Sequence, residues 1–366
     1  MTEQFGNASS SDHIMGRQAS EIVENARQSV SALVGARGKR VIFTSGATES
    51  ANIVINSKTS AKKKKRFIIS PLEHSAVLES CLAHHRAEKI DLDFVKVDSK
   101  GRHDLEDLER LLQRPADLVA IMAANNEIGN INPIKEIASL CQRYNADFLC
   151  DATQAAGKIE IDLEEQEITY LVLSAHKMYG PKGIGALICK KDALPQSLYS
   201  GGSQEYGVRS GTLNVPAIAG FGEACRLRKL EMVDDELEIG RKRNSLESLL
   251  KQRIAELEIN GDVSSKLCGN LHFSVPGVLN DAVIARIGEK VCISRGASCS
   301  SAIEKPSHVL LAIKLSEASV DGAFRVSVGK FTTDDEIERG AAILIAEILN
   351  VRATIQEHQS KQWQRT

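Results

Sequence analysis

The sequence lacks the features that mark membrane, secreted and nucleic-acid-binding proteins. No apolar run approaches the ~18 residues of a membrane span, and the polar start MTEQFGN does not resemble a signal peptide. Positive charge is not in excess, because 46 Lys and Arg residues nearly balance 48 Asp and Glu residues. We therefore expect a soluble, cytoplasmic protein that binds neither nucleic acid directly nor a membrane.

The eight cysteines are dispersed, with neither a Cys-x-x-Cys pair nor a cluster with histidine. This pattern argues against a disulfide framework and against a metal site. Most of the cysteines lie in apolar segments and are expected in the core, among them Cys141, Cys150, Cys189 and Cys292. Cys299 differs, because it lies in the Gly- and Ser-rich segment 294–302, which is expected to be a mobile loop.

Helix-period segments alternate with short apolar runs from residue 17 to about residue 190. The runs are 41–43, 67–69, 118–122, 148–150 and 170–173. Strands that are apolar on both faces and separated by helices predict an α/β fold with a mainly parallel sheet. Ligands of such sheets bind beyond the carboxyl ends of the strands, so the polar residues that follow these runs are candidate site residues.

A long charged helix, from Val215 to about Leu257, separates this region from a C-terminal region of mixed pattern. There, strands are predicted at 270–275, 291–294 and 324–328, and an amphipathic helix at 334–349. The sequence thus predicts a large domain over residues 1–234 and a smaller α+β domain over residues 235–366.

The segment 44–50, Thr-Ser-Gly-Ala-Thr-Glu-Ser, follows a predicted strand and begins a helix. Its small residues would let backbone N–H groups approach an anion, and the N-terminus of the helix favours negative charge. A phosphate site fits this segment, and an ordinary capped helix start fits it equally well.

Polar residues recur at the predicted carboxyl ends of several strands. His74, Asn126, Asp151 and Gln154 follow successive apolar runs. An acidic residue here could hold a protonated heteroaromatic nitrogen, and an imidazole could stack on the ring. Each residue alone is more often a cap or a turn residue, but their recurrence favours a common site.

Lys177 lies in the segment 174–183, SAHKMYGPKG, directly after another predicted strand. A lysine whose pKa is lowered by burial or by nearby positive charge can form a Schiff base with an aldehyde. Lys182, in the same segment, is interpreted as an ordinary surface lysine. Lys177 is therefore the candidate catalytic lysine.

Together these motifs resemble the cysteine desulfurases of the NifS/IscS type, which depend on pyridoxal 5'-phosphate (PLP) and belong to the class V aminotransferase family. The motifs are VIFTSGATES, ANNEIGN, CDATQAAGK, SAHKMYGPKGIGAL, RSGT, SRGASCSSA and FRVSVGKFTTDDEI. The resemblance runs from about Phe5 to the last helix. It implies a PLP-dependent transferase fold of type I with a seven-stranded sheet.

The resemblance also implies roles for individual residues. Lys177 would bind the PLP aldehyde, Asp151 would pair with the ring nitrogen, and His74 would stack on the ring and take part in catalysis. The remaining implied cofactor contacts are made by Ala47, Thr48, Ser174 and His176 to the phosphate, by Gln154 to the ring oxygen, by Asn126, and by Thr212 to the phosphate in the neighbouring subunit of a homodimer.

For the reaction, the resemblance implies that Asn126 and Arg325 hold the carboxylate of L-cysteine. Cys299 would then take the sulfur as a persulfide, alanine would leave, and the sulfur would pass to acceptor proteins. Iron–sulfur cluster assembly, tRNA thiolation and DNA phosphorothioation are possible destinations, between which the sequence does not choose.

Two alternatives stay open at this stage. One is a selenocysteine lyase or another β-eliminating PLP enzyme. The other is a shortened, non-catalytic partner in a sulfur-transfer complex, because family members begin with a further segment, which contains a strand and an Ala-Thr-Thr-Pro-like turn near the substrate. Ala8 also stands where the family's Phe-Gly-Asn-Pro-Ser has proline. These departures put closure of the substrate site and stability of the small domain in question.

Overall fold

The structure is a computed structural model that describes residues 5–60, 63–294 and 306–363. The chain divides into two compact units. The first comprises the described residues up to Lys96 together with His103–Asn125 and Ile131–Met232. The second comprises Val97–Arg102, Asn126–Asn130 and the described residues from Val233 onward.

The first unit consists of seven strands and the helices that connect them. In chain order the elements are α1 (Ile14–Leu33), β1 (Arg40–Thr44), α2 (Ala47–Thr59), β2 (Lys65–Ile69), α3 (Ser75–Arg86), β3 (Ile90–Phe94), α4 (Leu105–Leu112), β4 (Leu118–Ala120), α5 (Ile134–Arg143), β5 (Asp147–Asp151), β6 (Tyr170–Ser174), β7 (Gly185–Cys189) and α6 (Val215–Arg253), whose C-terminal part belongs to the second unit.

The seven strands form one mixed sheet in the order β1-β7-β6-β5-β4-β2-β3. Strand β7 is antiparallel to both of its neighbours, and all other paired strands are parallel. This arrangement confirms the predicted α/β fold with a mainly parallel sheet. Because parallel strands end at the same edge, the residues that follow β4, β5 and β6 are brought to one side of the sheet.

Burial on both faces explains why these strands are so apolar. All five residues of β6 and all five of β7 are buried. Helix α2 packs Ile53, Val54 and Ile55 into the core that lies on the sheet. Burying a side chain of this size stabilises the fold by about 1.5–3 kcal/mol, so the core holds the middle of α2 firmly and leaves its N-terminal turn for polar contacts.

The second unit contains a small antiparallel sheet. Its elements are β8 (Glu258–Ile259), β9 (Asn270–Ser274), α7 (Asn280–Ile287), α8 (His308–Ala312), α9 (Glu317–Asp321), β10 (Ala323–Ser327) and α10 (Asp334–Trp363). The strand order is β10-β9-β8, and Phe273 stacks on Phe324 across β9 and β10 with ring centroids 5.3 Å apart. Of the helices that the structure describes, none is both long and apolar enough to cross a membrane.

Two expectations for the second unit are wrong. The predicted strand at 291–294 is reduced to a single bridge, in which Ser294 and Arg325 exchange backbone hydrogen bonds of 3.2 and 2.8 Å. Because the rest of this short segment pairs with no strand among the described residues, Cys292 is exposed instead of lying in the core. The C-terminal helix is also longer than predicted, since α10 continues to Trp363.

Candidate functional site

The register of three strands places the start of α2 beside the end of β6. Thr44, the last residue of β1, pairs with Gly185, and Gly185 pairs in turn with Ser174, the last residue of β6. A Cβ atom built on Gly46 would lie 3.9 Å from the hydroxyl oxygen of Ser174. The N-terminus of α2 and the Ser174 hydroxyl therefore face the same small space at the edge of the sheet.

Helix α2 begins without a side-chain cap. Its N-cap residue is Gly46, whose φ of 153° and ψ of −176° place it in a region of backbone conformation that is open essentially only to glycine. The first N–H groups of a helix have no partner inside the helix, and a Ser, Thr or Asp cap would occupy one of them. Gly46 occupies none, which favours the anion-binding interpretation of this segment over the ordinary capped start.

Ser174 and His176 add side-chain donors next to this turn. The Ser174 hydroxyl and His176 Nδ1 are 2.9 Å apart. Burial, reinforced by the positive charges of Lys177 and Lys182, lowers the pKa of His176, so its imidazole is neutral at neutral pH. A hydroxyl and a neutral imidazole N–H can both donate a hydrogen bond to an anion, and neither group has to change its charge to do so.

Two carboxyl groups, those of Asp151 and Glu73, lie near the carboxyl ends of the parallel strands of the large sheet. Asp151 is the last residue of β5, is buried, and accepts a 2.9 Å hydrogen bond from the Thr153 N–H. Glu73 is fully buried and accepts a 2.7 Å hydrogen bond from the Met122 N–H. Burial, and secondarily the charge of Asp151, raises the pKa of Glu73 well above its ordinary value. The raised pKa favours the protonated form of Glu73.

His74 and Lys177 lie exposed at the same end of the sheet. His74 is the N-cap of α3, and its Nδ1 accepts a 3.1 Å hydrogen bond from the Ala76 N–H. This bond leaves the proton on Nε2 and holds the imidazole in one orientation. Lys177 lies on a single helical turn that follows β6 directly, at residues 175–177. Both side chains can therefore reach a ligand that lies beyond the strand ends.

Two further predicted residues are in the first unit. Gln154 lies on the turn after β5, where its Oε1 accepts a 3.2 Å hydrogen bond from Lys158 Nζ. Thr212 is exposed on the segment that precedes α6. Its predicted contact is with a second subunit, and that contact stays a prediction.

The predicted substrate residues lie together in the second unit. Arg325, on β10, donates a 2.9 Å hydrogen bond from Nη1 to the backbone oxygen of Asn126. Burial lowers the pKa of Arg325, and the nearby charge of Glu127 opposes that shift. The side-chain oxygen of Asn126 is buried and has no hydrogen-bond partner among the described residues. The guanidinium of Arg325 is suited to bind a small carboxylate, whereas the unused acceptor oxygen of Asn126 is suited to a hydrogen-bond donor.

Cys299, the predicted sulfur acceptor, lies outside the described residues. The described residues stop at Ser294 and resume at Pro306. Directly after that point, Ser307 donates a 2.5 Å hydrogen bond to the Glu127 carboxylate, which is buried.

Sequence reasoning missed two buried carboxyl groups, Glu73 in the first unit and Glu127 in the second. Each is the neighbour of a residue that was singled out, since Glu73 precedes His74 and Glu127 follows Asn126. The available signal was a charged residue next to a candidate site residue, in a segment that follows a buried strand. It was weak, because burial of a carboxyl cannot be inferred from one sequence.

Comparison with known proteins identifies related chains over nearly the whole length. The model of the family "Aminotransferase class-V" matches residues 1–339. Cysteine desulfurase IscS of Rickettsia prowazekii is 39% identical over 355 residues, which are 96% of this chain and 86% of that protein. The solved structure of a NifS-like protein has a TM-score of 0.87 at 33% identity, covering 95% of this chain and 92% of its own. A structure described as SspA in complex with cysteine has a TM-score of 0.76 at 28% identity, covering 91% and 93%.

Proposed function

The chain belongs to the aminotransferase class-V family, and from that premise we propose that it is a PLP-dependent cysteine desulfurase, which converts L-cysteine to L-alanine. The observation that carries this proposal is the arrangement at the edge of the large sheet. An uncapped helix N-terminus, a Ser–His donor pair, a buried aspartate and a lysine all follow strand ends of one sheet. The relative from Rickettsia prowazekii, named a cysteine desulfurase, supports the same reaction.

The side chains present fit PLP. The first-turn N–H groups of α2, which Gly46 leaves uncapped, would hold the phosphate through Ala47 and Thr48, with Ser174 and His176 as further donors. The buried Asp151 carboxylate would pair with the ring nitrogen. The other ring contacts would be made by His74, Gln154 and Asn126. When bound, PLP supplies an aldehyde for Lys177 and a ring that accepts electrons from the substrate carbon.

The chain's own residues would then orient the substrate and move its proton. Arg325 and Asn126 would bind the cysteine carboxylate, which fixes the direction of the Cα–H bond. Lys177 would take the Cα proton as a general base, and His74 would keep its Nε2–H toward the reacting group. Asp151 would pair with the ring nitrogen and keep it protonated, beside Glu73, whose raised pKa favours its own protonated form.

Sulfur transfer would use Cys299. Its thiolate would attack the substrate sulfur, so that an S–S bond forms while the substrate C–S bond breaks. The electron pair of the C–S bond stays with the substrate carbon, which takes up a proton, and alanine leaves. Sulfur is thus oxidised to the persulfide level as carbon is reduced, and no external oxidant is needed. The outer sulfur then passes to an acceptor protein.

We also propose a homodimer, in which Thr212 of each subunit would bind the phosphate in the other. The exposure of Thr212 on the segment before α6 supports this assignment. It predicts that Thr212→Ala weakens PLP binding although the residue need not touch the cofactor bound to its own chain.

Single-turnover formation of alanine by two cysteine variants tests the proposed role of Cys299. Cys299→Ala should retain the PLP absorbance band and lose persulfide formation and sulfide release with a reductant. Cys292→Ala is the matched control, since Cys292 is an exposed cysteine of the second unit, and it should behave as the wild type. Sulfide release that persists in Cys299→Ala and disappears in Cys292→Ala would refute the assignment.

A further inference from the structure

We propose that Glu49 and Arg209 form a positioning pair for the phosphate end of the site. The pair would hold the chain that enters α2 and, at the same time, neutralise a carboxylate that would otherwise repel the phosphate. This inference rests on the proposed function, because it requires PLP to bind at the N-terminus of α2. It assigns a role to two residues, 160 positions apart in the chain, that contact each other directly.

The Glu49 carboxylate makes two different contacts. Its Oε1 accepts a 3.0 Å hydrogen bond from Arg209 Nε, and its Oε2 accepts a hydrogen bond from the Ser45 N–H. The Glu49 side chain is 7% exposed and that of Arg209 is 27% exposed, so the pair is shielded from much of the solvent. Solvent and salt therefore screen the attraction between these two charges less than they would on the open surface.

The Ser45 contact makes half of a capping box. In a complete capping box, a glutamate three residues after the N-cap reaches back to the N-cap backbone, while a Ser or Thr at the N-cap bonds an N–H of the first turn. Here Glu49 is three residues after Gly46 and reaches back one residue further, to Ser45. Gly46 has no side chain to complete the box. The entry to the helix is therefore fixed while the first-turn N–H groups stay available to an anion.

The charge of Glu49 would oppose phosphate binding if it were not compensated. Burial alone would raise the pKa of Glu49, but the hydrogen bonds from Ser45 and Arg209 outweigh burial and hold the pKa below its ordinary value. The carboxylate is thus charged at neutral pH, in the same helical turn that would bind a phosphate dianion. Arg209 supplies the positive charge that cancels it.

A second ion pair anchors the turn that precedes Arg209. Glu205 accepts hydrogen bonds from Arg27 at 2.8 and 2.9 Å and from the Phe43 N–H at 2.6 Å. Glu205 and Tyr206 both have positive φ, 46° and 60°, a backbone conformation that persists only where the surroundings enforce it. The turn that precedes Arg209 is therefore anchored on α1 and β1 before Arg209 meets Glu49.

The test measures the dissociation constants of PLP and of pyridoxal, which lacks the phosphate, on apoprotein prepared from the holoenzyme. Arg209→Ala should raise the Kd for PLP about tenfold, equivalent to ~1.4 kcal/mol, and should leave the Kd for pyridoxal unchanged. Arg209→Lys should recover part of the loss. Arg226→Ala removes an arginine of the same unit that pairs with Glu223 while both are about half exposed, and it should change neither constant.

The variant Glu49→Gln separates charge from structure. In the double variant Glu49→Gln/Arg209→Ala the uncompensated charge is gone, so PLP should bind more tightly than in Arg209→Ala. Equal PLP affinity in Arg209→Ala and wild type would overturn the proposal, and so would an equal weakening of PLP and pyridoxal. If Arg209→Ala does not fold, Glu49→Gln serves as the test instead. PLP binding that is much weaker in Glu49→Gln than in wild type would then overturn the proposal. Wild-type protein that binds no PLP would instead refute the proposed function.

Discussion

Glu73 and Asp151 are coupled carboxyl groups at the carboxyl edge of the large sheet. Glu73 is fully buried, and after burial the charge of Asp151 is the next cause of its raised pKa. Burial and the neighbouring charge both disfavour ionisation of Glu73, so its protonated form is favoured. Asp151 is the member of the pair that is proposed to face the ring nitrogen.

This coupling predicts an unusual pH dependence for Glu73. Because the folded state holds a proton on Glu73 that the unfolded state releases above about pH 4.5, the free energy of unfolding should fall as the pH rises above that value. Glu73→Gln should remove this contribution and unfold at higher urea concentration than wild type at pH 8. Urea denaturation at pH 6, 7 and 8 measures the difference. A steeper loss of stability with rising pH in Glu73→Gln than in wild type would contradict it.

The pKa of His272, in the second unit, predicts that the free energy of unfolding changes with pH in the opposite direction. Burial, and secondarily the charge of Arg325, lowers the pKa of His272 from 6.5 to about 3. Between these values the unfolded state binds a proton that the folded state does not, so stability should fall as the pH decreases below 6.5. At pH 5 the loss should be about 2 kcal/mol.

Replacing His272 tests that sign. His272→Asn should flatten the loss of stability between pH 6.5 and pH 5, as measured by the exchange rates of amide hydrogens on β9 and β10. His308→Asn is the control, because it replaces another histidine of the same unit. Equal pH dependence in wild type and His272→Asn would show that His272 is not the responsible group.

Asp151→Asn should abolish most of the activity while leaving the fold intact. The asparagine oxygen can still accept the Thr153 N–H bond that Asp151 accepts at 2.9 Å, so the turn after β5 keeps its hydrogen bond. The charge that would hold the ring nitrogen protonated is lost, and kcat should fall by about 100-fold or more. Steady-state kinetics with L-cysteine and a thermal melt measure the two effects. A kcat within a few-fold of wild type would argue against the role of Asp151.

Arg325→Lys should impair substrate binding although it keeps the charge. Lysine cannot form the bidentate contact that a guanidinium makes with a carboxylate. We expect kcat/KM for L-cysteine to fall about 100-fold, which corresponds to ~2.7 kcal/mol, with most of the change in KM. Arg286→Lys, which alters an exposed ion pair with Glu347 in the same unit, should leave kcat/KM unchanged. If both variants behave alike, Arg325 does not bind the carboxylate.

Local patterns in the sequence were sufficient for the inner parallel strands of the large sheet. Strands β2, β4, β5 and β6 are buried on both faces, so each leaves a continuous apolar run such as 67–69 or 148–150, and the residue that follows such a run lies at the ligand edge. The edge strand β3, in which acidic residues alternate with apolar ones, and strand β7 were not among the predicted runs. Asp151 and Ser174 could be found for that reason. Val291–Ser294 has the same apolar character but forms only one bridge, so Cys292 is exposed and the prediction failed.

Contacts that depend on strand order could not be predicted. Glu73 approaches Asp151 because β4 lies between β2 and β5 in the sheet, and nothing in the local sequence specifies that order. The Glu49–Arg209 pair joins residues that are far apart in the chain, although each lies within a recognised motif. The motifs identified the positions, and only the fold showed which side chains meet.

The most direct test of the central claim is the product balance of the purified holoenzyme with L-cysteine. The account predicts one alanine for each cysteine consumed, with the sulfur recovered as protein persulfide or, after reduction, as sulfide, and no product from Lys177→Ala. Formation of pyruvate and ammonia in place of alanine would contradict the account, because it would show a β-eliminating enzyme. Binding of PLP without any turnover of cysteine would contradict it as well.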